Sequence, residues 1–294
     1  MSSAFLQTCL DVATRAAHRA GRLQTAYRGH PRTVSTKRNE IDLVTEVDRA
    51  SERLIRQAIA RHFPDHGFQG EEGGSTHPEA PYRWIVDPLD GTTNFVHGVP
   101  MFAVSIALAH REDIVVGIIH DPSQRETFTA IKGRGAWANG RRIHVSRTRT
   151  LAKSLLSTGF SVKFRTNPQP YLEWFWAFQS RCHAVRRMGC TTLSLAYVAC
   201  GRQDGFYEQD LWPWDIAAGL LLVEEAGGRV SDFHGRPVRL EDGRLVASNG
   251  FLHRQMLALL AHPLQRRPAY RARRGAGRWP ENAAAGRVLR TLGR

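Results

Sequence analysis

A mixed α/β (α+β) fold of layered sheets and helices is what the order of patterns along this chain predicts. Three observations carry it. The first 62 residues read as two amphipathic helices, the stretch from Met101 to Ser146 reads as successive strands, and strands and helices alternate after Thr150. Helical and strand periodicities that switch in this order imply sheets with helices packed between and outside them.

Taken in order, Leu6, Cys9, Leu10, Ala13, Ala16, Ala17 and Ala20 recur at helical spacing and predict a core helix. The polar, β-branched stretch "GHPRTVSTKRNEIDLVTEVD" predicts a short hairpin, and a second amphipathic helix follows from about Thr45 to His62, with Leu54, Ile55 and Ile59 on one face. "FPDHGFQGEEGG" reads as a loop or short strand between turn residues. "FAVSIALAH", "DIVVGIIHD" and "ETFTAIKG" predict an antiparallel meander with turns at Arg111-Glu112, Pro122-Ser123 and Asn139-Gly140. Beyond Thr150 come a strand in "SLLSTGF", a helix near Tyr171–Ser180, a helix in "TTLSLAYVACG", a strand in "DGFYE", a helix in "WDIAAGLLLVEEAGG", a strand in "RLVASN" and a last helix from Phe251 to Ala261. This organisation predicts one domain over 1–262, in halves of about 1–150 and 151–262, and a basic disordered tail over 263–294.

Composition narrows the function classes. The chain of 294 residues is 42% hydrophobic and 23% charged, which suits a globular enzyme with a sizeable core. Its net charge of +14 is uneven: residues 263–294 hold nine Arg and one acid, Glu281, for +8, leaving +6 for the other 262 residues. That tail, with Tyr270 and Trp279, is the feature that fits RNA or another anionic partner. The four cysteines show no CxxC or zinc-ligand spacing, so reduced thiols are expected. No signal peptide or membrane-length apolar run is visible, and a cytoplasmic location without membrane association is expected.

The chemistry concentrates in "WIVDPLDGTTNFVHG", residues 84–98. An apolar strand delivers Asp87 and Asp90 three residues apart, with Pro88 stiffening the bend and Gly91 allowing close approach. Asp-Gly after a strand also suits a plain surface turn. The same pattern of acids among small or apolar residues, each where a loop or strand meets a helix, recurs at Glu71 and Glu72 in "GEEGG" and at Asp215 in "WDIAAG". A carboxylate leaving an apolar strand must protonate, pair or bind a cation. No basic residue falls inside these motifs, and oxygen-only donors favour Mg²⁺ or Mn²⁺ over zinc. The N–H groups of Gly91 and Thr92 could open a helix onto a phosphate.

"WIVDPLDGTTNFVHGVP" with "PWDIAAG" resembles the paired signatures of the inositol monophosphatase family, Mg²⁺-dependent, lithium-sensitive phosphomonoesterases. "GEE", "DLVTEVD" and the hairpin "GRGAWANGRRI" resemble its other motifs, and the resemblance spans Ser3 to Ala261. It implies a layered α-β-α-β-α sandwich, a homodimer, and two or three Mg²⁺ ions per site. Residue by residue, it implies one metal on Glu71, Asp87 and the Leu89 carbonyl, a second on Asp87, Asp90 and Asp215, and Glu71 aiding a third. It further implies that Thr92 and Glu71 orient and deprotonate the attacking water, with Asp48 behind Thr92. Gly91, Thr92, Cys190, Thr191, Glu208 and Asp215 would meet a small phosphomonoester, most simply myo-inositol 1-phosphate. Cys190 and Thr191 are bulkier than the Ser-Ala or Thr-Ala pairs of the resembled pattern, which leaves histidinol phosphate as the alternative substrate. Some bacterial members of the resembled family are implicated in transcription complexes, so an RNA-binding or regulatory role through the tail is the non-enzymatic alternative.

Plainer expectations stand beside these. His97 reads as a hydrogen-bonded structural histidine, Glu72 as a solvent-facing neighbour or a support to the metal ligands, and Lys37 as either a solvated side chain or a group near the metals. Pro64 separates His62 from His66 and breaks any helix that would align them. Cys190 has no base motif and reads as pocket lining rather than a nucleophile. The run "YLEWFWAF" reads as helix packing or a dimer face.

Overall fold

Ser2, whose hydroxyl accepts the Phe5 N–H, starts helix α1 (Ser3–Tyr27), and Leu6, Cys9, Ala13, Ala16, Ala17 and Ala20 form its buried stripe. These come from a computed structural model that describes residues 2–28, 30–31, 33–36 and 43–262. Strands β1 (Val34–Thr36) and β2 (Leu43–Thr45) pair antiparallel. Thr45 then caps α2 (Glu46–His62) through a reciprocal capping box with Asp48, a device that satisfies two orphan N–H groups of the first turn. The helix stops at His62, just ahead of Pro64.

The first sheet has eight strands: β3 (Gly67–Gly70), β4 (Gly74–Thr76), β5 (Tyr82–Asp90), β6 (Ala103–His110), β7 (Asp113–Asp121), β8 (Glu126–Ile131), β9 (Ala136–Ala138) and β10 (Arg141–Ile143). Their order is β10-β9-β8-β7-β6-β5-β3-β4, and only β3 and β5 run parallel. The expected meander is therefore present, with its turns at the predicted dipeptides. Arg111 and Asn139 take positive φ there, 58° and 48°, as two-residue hairpins require.

One face of this sheet packs on α1 and α2. That core joins Ala13, Ala17, Ile55 and Ile59 to Trp84, Val86, Ile106, Leu108 and Ile118. Complete burial of side chains such as Trp84 and Ile106 contributes roughly 1.5–3 kcal/mol each. The other face receives α5 (Thr191–Ala199) and α6 (Pro213–Glu225). Both helices are apolar on nearly all sides because they are sandwiched between two sheets: one cluster unites Ile119, Phe128, Leu193, Leu195, Ile216, Leu222 and Phe206.

The second sheet, ordered β12-β11-β13-β15-β14, comprises β11 (Leu155–Thr158), β12 (Ala184–Arg186), β13 (Gly205–Gln209), β14 (Arg229–Ser231) and β15 (Arg244–Ser248). Its outer face carries α4 (Gln169–Gln179) and α7 (His253–Ala261), joined through Phe178, Tyr207, Phe233, Val246 and Met256. The architecture is the α-β-α-β-α sandwich. Position 150 separates the two sheets in sequence but not in packing, since α5 and α6 lie in one core that both sheets share. The aromatic run splits its duties: Tyr171 and Phe178 are buried, while Leu172 and Trp176 face outward. Among the described residues no helix is long and apolar enough to cross a membrane. The tail expectation for 263–294 and the Lys37 expectation lie outside the described residues.

Candidate active site

The end of β5 is built to turn sharply. Asp87, 2% exposed, accepts the Leu89 N–H on Oδ1 at 2.9 Å, closing a turn across Pro88. Pro88 cannot donate to the ladder, and the β5–β6 register shifts between Asp87 and Asp90, a bulge that re-aims side chains. Gln24 of α1 donates to the Pro88 carbonyl at 2.7 Å and fixes the bend from behind. Gly91 follows with φ 89°, and a Cβ there would lie 2.8 Å from the Met101 carbonyl. The short helix α3 (Thr92–Val96) begins immediately after it.

Pairing brings the other acids of the first half alongside. Because β3 runs parallel to β5 with Gly70 opposite Val86, Glu71 emerges next to Asp87, and its N–H reaches the Val86 carbonyl at 3.2 Å. Glu71 and Glu72 occupy the β3–β4 turn, not the start of a helix as expected, because the glycines after them let the chain reverse into a hairpin. Glu72 is half-buried and donates its N–H to Glu52 Oε2 at 2.8 Å. Asp48 is fully buried. Its Oδ2 accepts the Thr45 N–H at 2.8 Å, and its Oδ1 lies 3.0 Å from the Thr92 hydroxyl. The Leu89 carbonyl, 3.1 Å away, competes for that same proton.

The second half closes the site with two helix N-termini. Asp90 Oδ2 accepts from Thr192 N and Thr192 Oγ1, each at 2.7 Å, and from Cys190 Sγ at 3.1 Å. Pro213 opens α6 at a position where no N–H is needed, and Asp215 in the first turn accepts the Trp212 N–H at 2.7 Å. Such termini favour anions, yet burial wins: it pushes the Asp215 carboxyl well above its ordinary range, Asp90 and Glu71 add repulsion, and the Trp212 N–H only partly opposes them. Burial likewise raises Asp90 despite its donors from Thr192 and Cys190.

These carboxylates share one field, in which Asp90, Glu71 and Glu208 each repel Asp215. A donor set of oxygens alone fits a hard divalent ion. Among the described residues no three His, Cys, Asp or Glu side chains stand together as a ready cage, so the fit rests on donor chemistry and the shared field.

Beside Asp90 lies a cavity of about 270 Å³, reached by Cys190, Thr191 and Glu208. Thr191 Oγ1 donates to Glu208 Oε2 at 3.1 Å. Burial raises the Glu208 carboxyl to about 8, with Thr191 pulling it down and Asp90 pushing it up. The Cys190 thiol is buried and pushed upward, first by burial and then by Asp90, which disfavours a thiolate. The lining residues that sequence reading passed over include Asn94, Arg187 and Phe160. Asn94 bridges the halves, its Nδ2 lying 2.8 Å from the Met101 carbonyl and 3.0 Å from that of Met188. Arg187 stands 5.3 Å above the Phe160 ring. Asn94 was within the quoted motif and could have been found; Arg187 and Phe160 carry no local signal. His97 is exposed, not a structural histidine.

Glu208 gives a measurable pH dependence. Its folded-state value lies above the ordinary 4.5, so the native state holds a proton that the unfolded chain has lost. That contribution is complete below about 4.5 and disappears as pH rises through about 8. In metal-free protein, Glu208→Gln is expected to flatten the fall in stability between those limits by roughly 1–3 kcal/mol. Urea midpoints across the range check this; parallel curves for parent and variant would contradict it.

Residues 6–269 match the family model described as the inositol monophosphatase family. The chain is 47% identical over 254 residues to the Nus factor SuhB of Pseudomonas aeruginosa, covering 83% of this chain and 92% of that protein. It is 42% identical over 258 residues to the inositol-1-monophosphatase of Synechocystis, covering 87% and 90%. The inositol monophosphatase structure from Anabaena superposes with a TM-score of 0.81 at 41% identity, over 88% of this chain and 98% of that one. The SuhB structure from Bartonella henselae gives 0.83 at 38% identity, over 87% and 99%.

Proposed function

The chain belongs to the inositol monophosphatase family, a family of phosphatases, and from that premise we propose that it hydrolyses myo-inositol 1-phosphate with Mg²⁺. The observation that carries this reading is the repulsion of Asp215 by Asp90 and Glu71, beside the cavity that Asp90 and Glu208 line. Glu71, Asp87 and the Leu89 carbonyl would hold one ion, and Asp87, Asp90 and Asp215 a second, with Glu71 serving a third; Mn²⁺ suits the same donors. Bound Mg²⁺ supplies activation of water and neutralisation of phosphoryl charge.

The chain's own groups do the positioning. The Thr92 hydroxyl gives its proton to Asp48 or Leu89 and keeps its oxygen lone pairs to orient the attacking water. Glu71 takes that water's proton. Glu208 and Thr191 bind substrate hydroxyls, and Cys190 fills the wall between them and Asp90. The family resemblance also supports a homodimer.

Phosphate release from myo-inositol 1-phosphate and from histidinol phosphate, with and without Mg²⁺ and Li⁺, tests the reading. Mg²⁺-dependent, lithium-suppressed release from the inositol ester is expected. Preference for histidinol phosphate would keep the metal site and reassign the pocket around Cys190, Thr191 and Glu208. Silence on both would sink the catalytic proposal. A second, non-exclusive reading is a transcription-related role through the +8 tail, favoured by relatives named Nus factor. Removing residues 263–294 is then expected to abolish RNA retention while sparing turnover.

A further inference from the structure

Two strands along from β5, the end of β7 faces α1 across a second cavity, of about 630 Å³. Helix α1 contributes His18, Arg22 and Thr25 at helical spacing, hence on one stripe. The sheet contributes His120 from β7, Arg125 from the turn after it and Thr127 from β8. No carboxylate lines this cavity among the described residues.

The arrangement is held rigidly. Thr127 Oγ1 lies 2.8 Å from His18 Nε2 and 3.0 Å from His120 Nδ1, and the two rings are 4.6 Å apart. One hydroxyl therefore ties both imidazoles. Any Cβ at Gly21 would stand 2.8 Å from His120 Nε2, so glycine lets α1 approach the ring. Arg125 sits at φ 54° and Asn139 at φ 48°, a conformation costing about 1–2 kcal/mol for a side-chain-bearing residue. Asn139 holds this turn in place: its Oδ1 accepts the Thr127 N–H at 2.9 Å and its Nδ2 donates to the Arg125 carbonyl at 3.1 Å.

The charge is unanswered. Arg22 and Arg125 are exposed, and neither has an ion-pair partner among the described residues. After burial, the Arg22 charge acts to lower His18; at His120 burial comes first, with His18 and Arg22 adding to it. Two guanidinium groups and two imidazoles thus border this space, and among the described residues no carboxylate lines it. Guanidinium groups match oxyanions through paired N–H donors, and the one imidazole that accepts the Thr127 proton keeps an N–H on its other ring nitrogen as a neutral donor.

We propose that this cavity is a second binding site, separate from the phosphatase centre, for a small tetrahedral dianion of the phosphate or sulfate type. Sulfate is the probe, because it is not turned over. Histidine ring resonances of the full chain, assigned with His18→Gln, would be followed at constant pH during titration with sodium sulfate and with sodium chloride at matched ionic strength. Saturable shifts at His18 and His120 are expected with sulfate alone, at midpoints on the order of millimolar. The Arg22→Gln/Arg125→Gln double variant changes only exposed side chains, so its fold and phosphatase turnover should persist. Its sulfate midpoint should rise at least about fivefold. Equal shifts with chloride, or an unchanged midpoint in the double variant, would overturn the proposal and leave a solvated basic face.

Discussion

Replacing Asp215 with Asn is expected to remove turnover while making the metal-free protein more stable. Asp215 is half-buried, repelled by Asp90 and Glu71, and raised well above the ordinary carboxylate range. Its ionised form is therefore a burden on the fold, and the burden grows as pH climbs from that range toward the raised folded-state value. Asparagine keeps an acceptor for the Trp212 N–H, which now lies 2.7 Å from Oδ2, and sheds the charge. The same change deletes a proposed ligand to the catalytic metal, for which a loss on the order of 10³-fold in kcat/KM is expected. Thermal melts without metal and phosphate release with Mg²⁺ separate the two effects. Full activity would refute the metal assignment, and joint loss of activity and stability would make Asp215 a structural residue.

Gly91→Ala should be the most damaging single methyl in the site. The residue holds φ 89°, where a side chain is disfavoured, and the new Cβ would face the Met101 carbonyl at 2.8 Å and the Gly189 carbonyl at 3.2 Å. Both atoms are backbone, so relief requires moving β5, α3 or the loop before α5. The conformational and steric costs together amount to about 2–4 kcal/mol. Gly91 lies between Asp90 and Thr92, so any relief displaces both, and displacements near 1 Å cost about 10²-fold in rate. Urea unfolding and single-substrate kinetics test this. A variant with parental stability and rate would show that the turn carries neither role.

How much of this was legible depended on whether a feature was local. The stripe of α1, the capped start of α2 and the meander from Ala103 onward follow from periodicity and turn chemistry that neighbouring residues carry themselves. β12 and β14 escaped because three residues are too few to display a strand period, and partners far away in sequence create them. The acid motifs stood out because carboxylates among small and apolar residues demand an explanation. Their convergence was not readable: it depends on β3 lying parallel to β5 and on two helix N-termini arriving from the second half. Glu71 shows the limit, since its position after a strand was visible while the hairpin that holds it was not. Arg187 and Phe160 meet only through tertiary packing, and His97 drew attention merely by standing beside the motif.

The bonds from Asp90 to Thr192 span 102 positions of chain. During synthesis the strand bearing Asp87 and Asp90 emerges long before the segment that supplies the Thr192 and Cys190 donors. Closing so large a loop costs entropy before any contact rewards it. The nascent first half therefore carries Asp90 without its donors, though Asp87 already holds the Leu89 N–H, and the site is complete only when α5 and α6 dock between the sheets. Damage to the distant helices is therefore expected to silence turnover even with every residue of the aspartate motif in place.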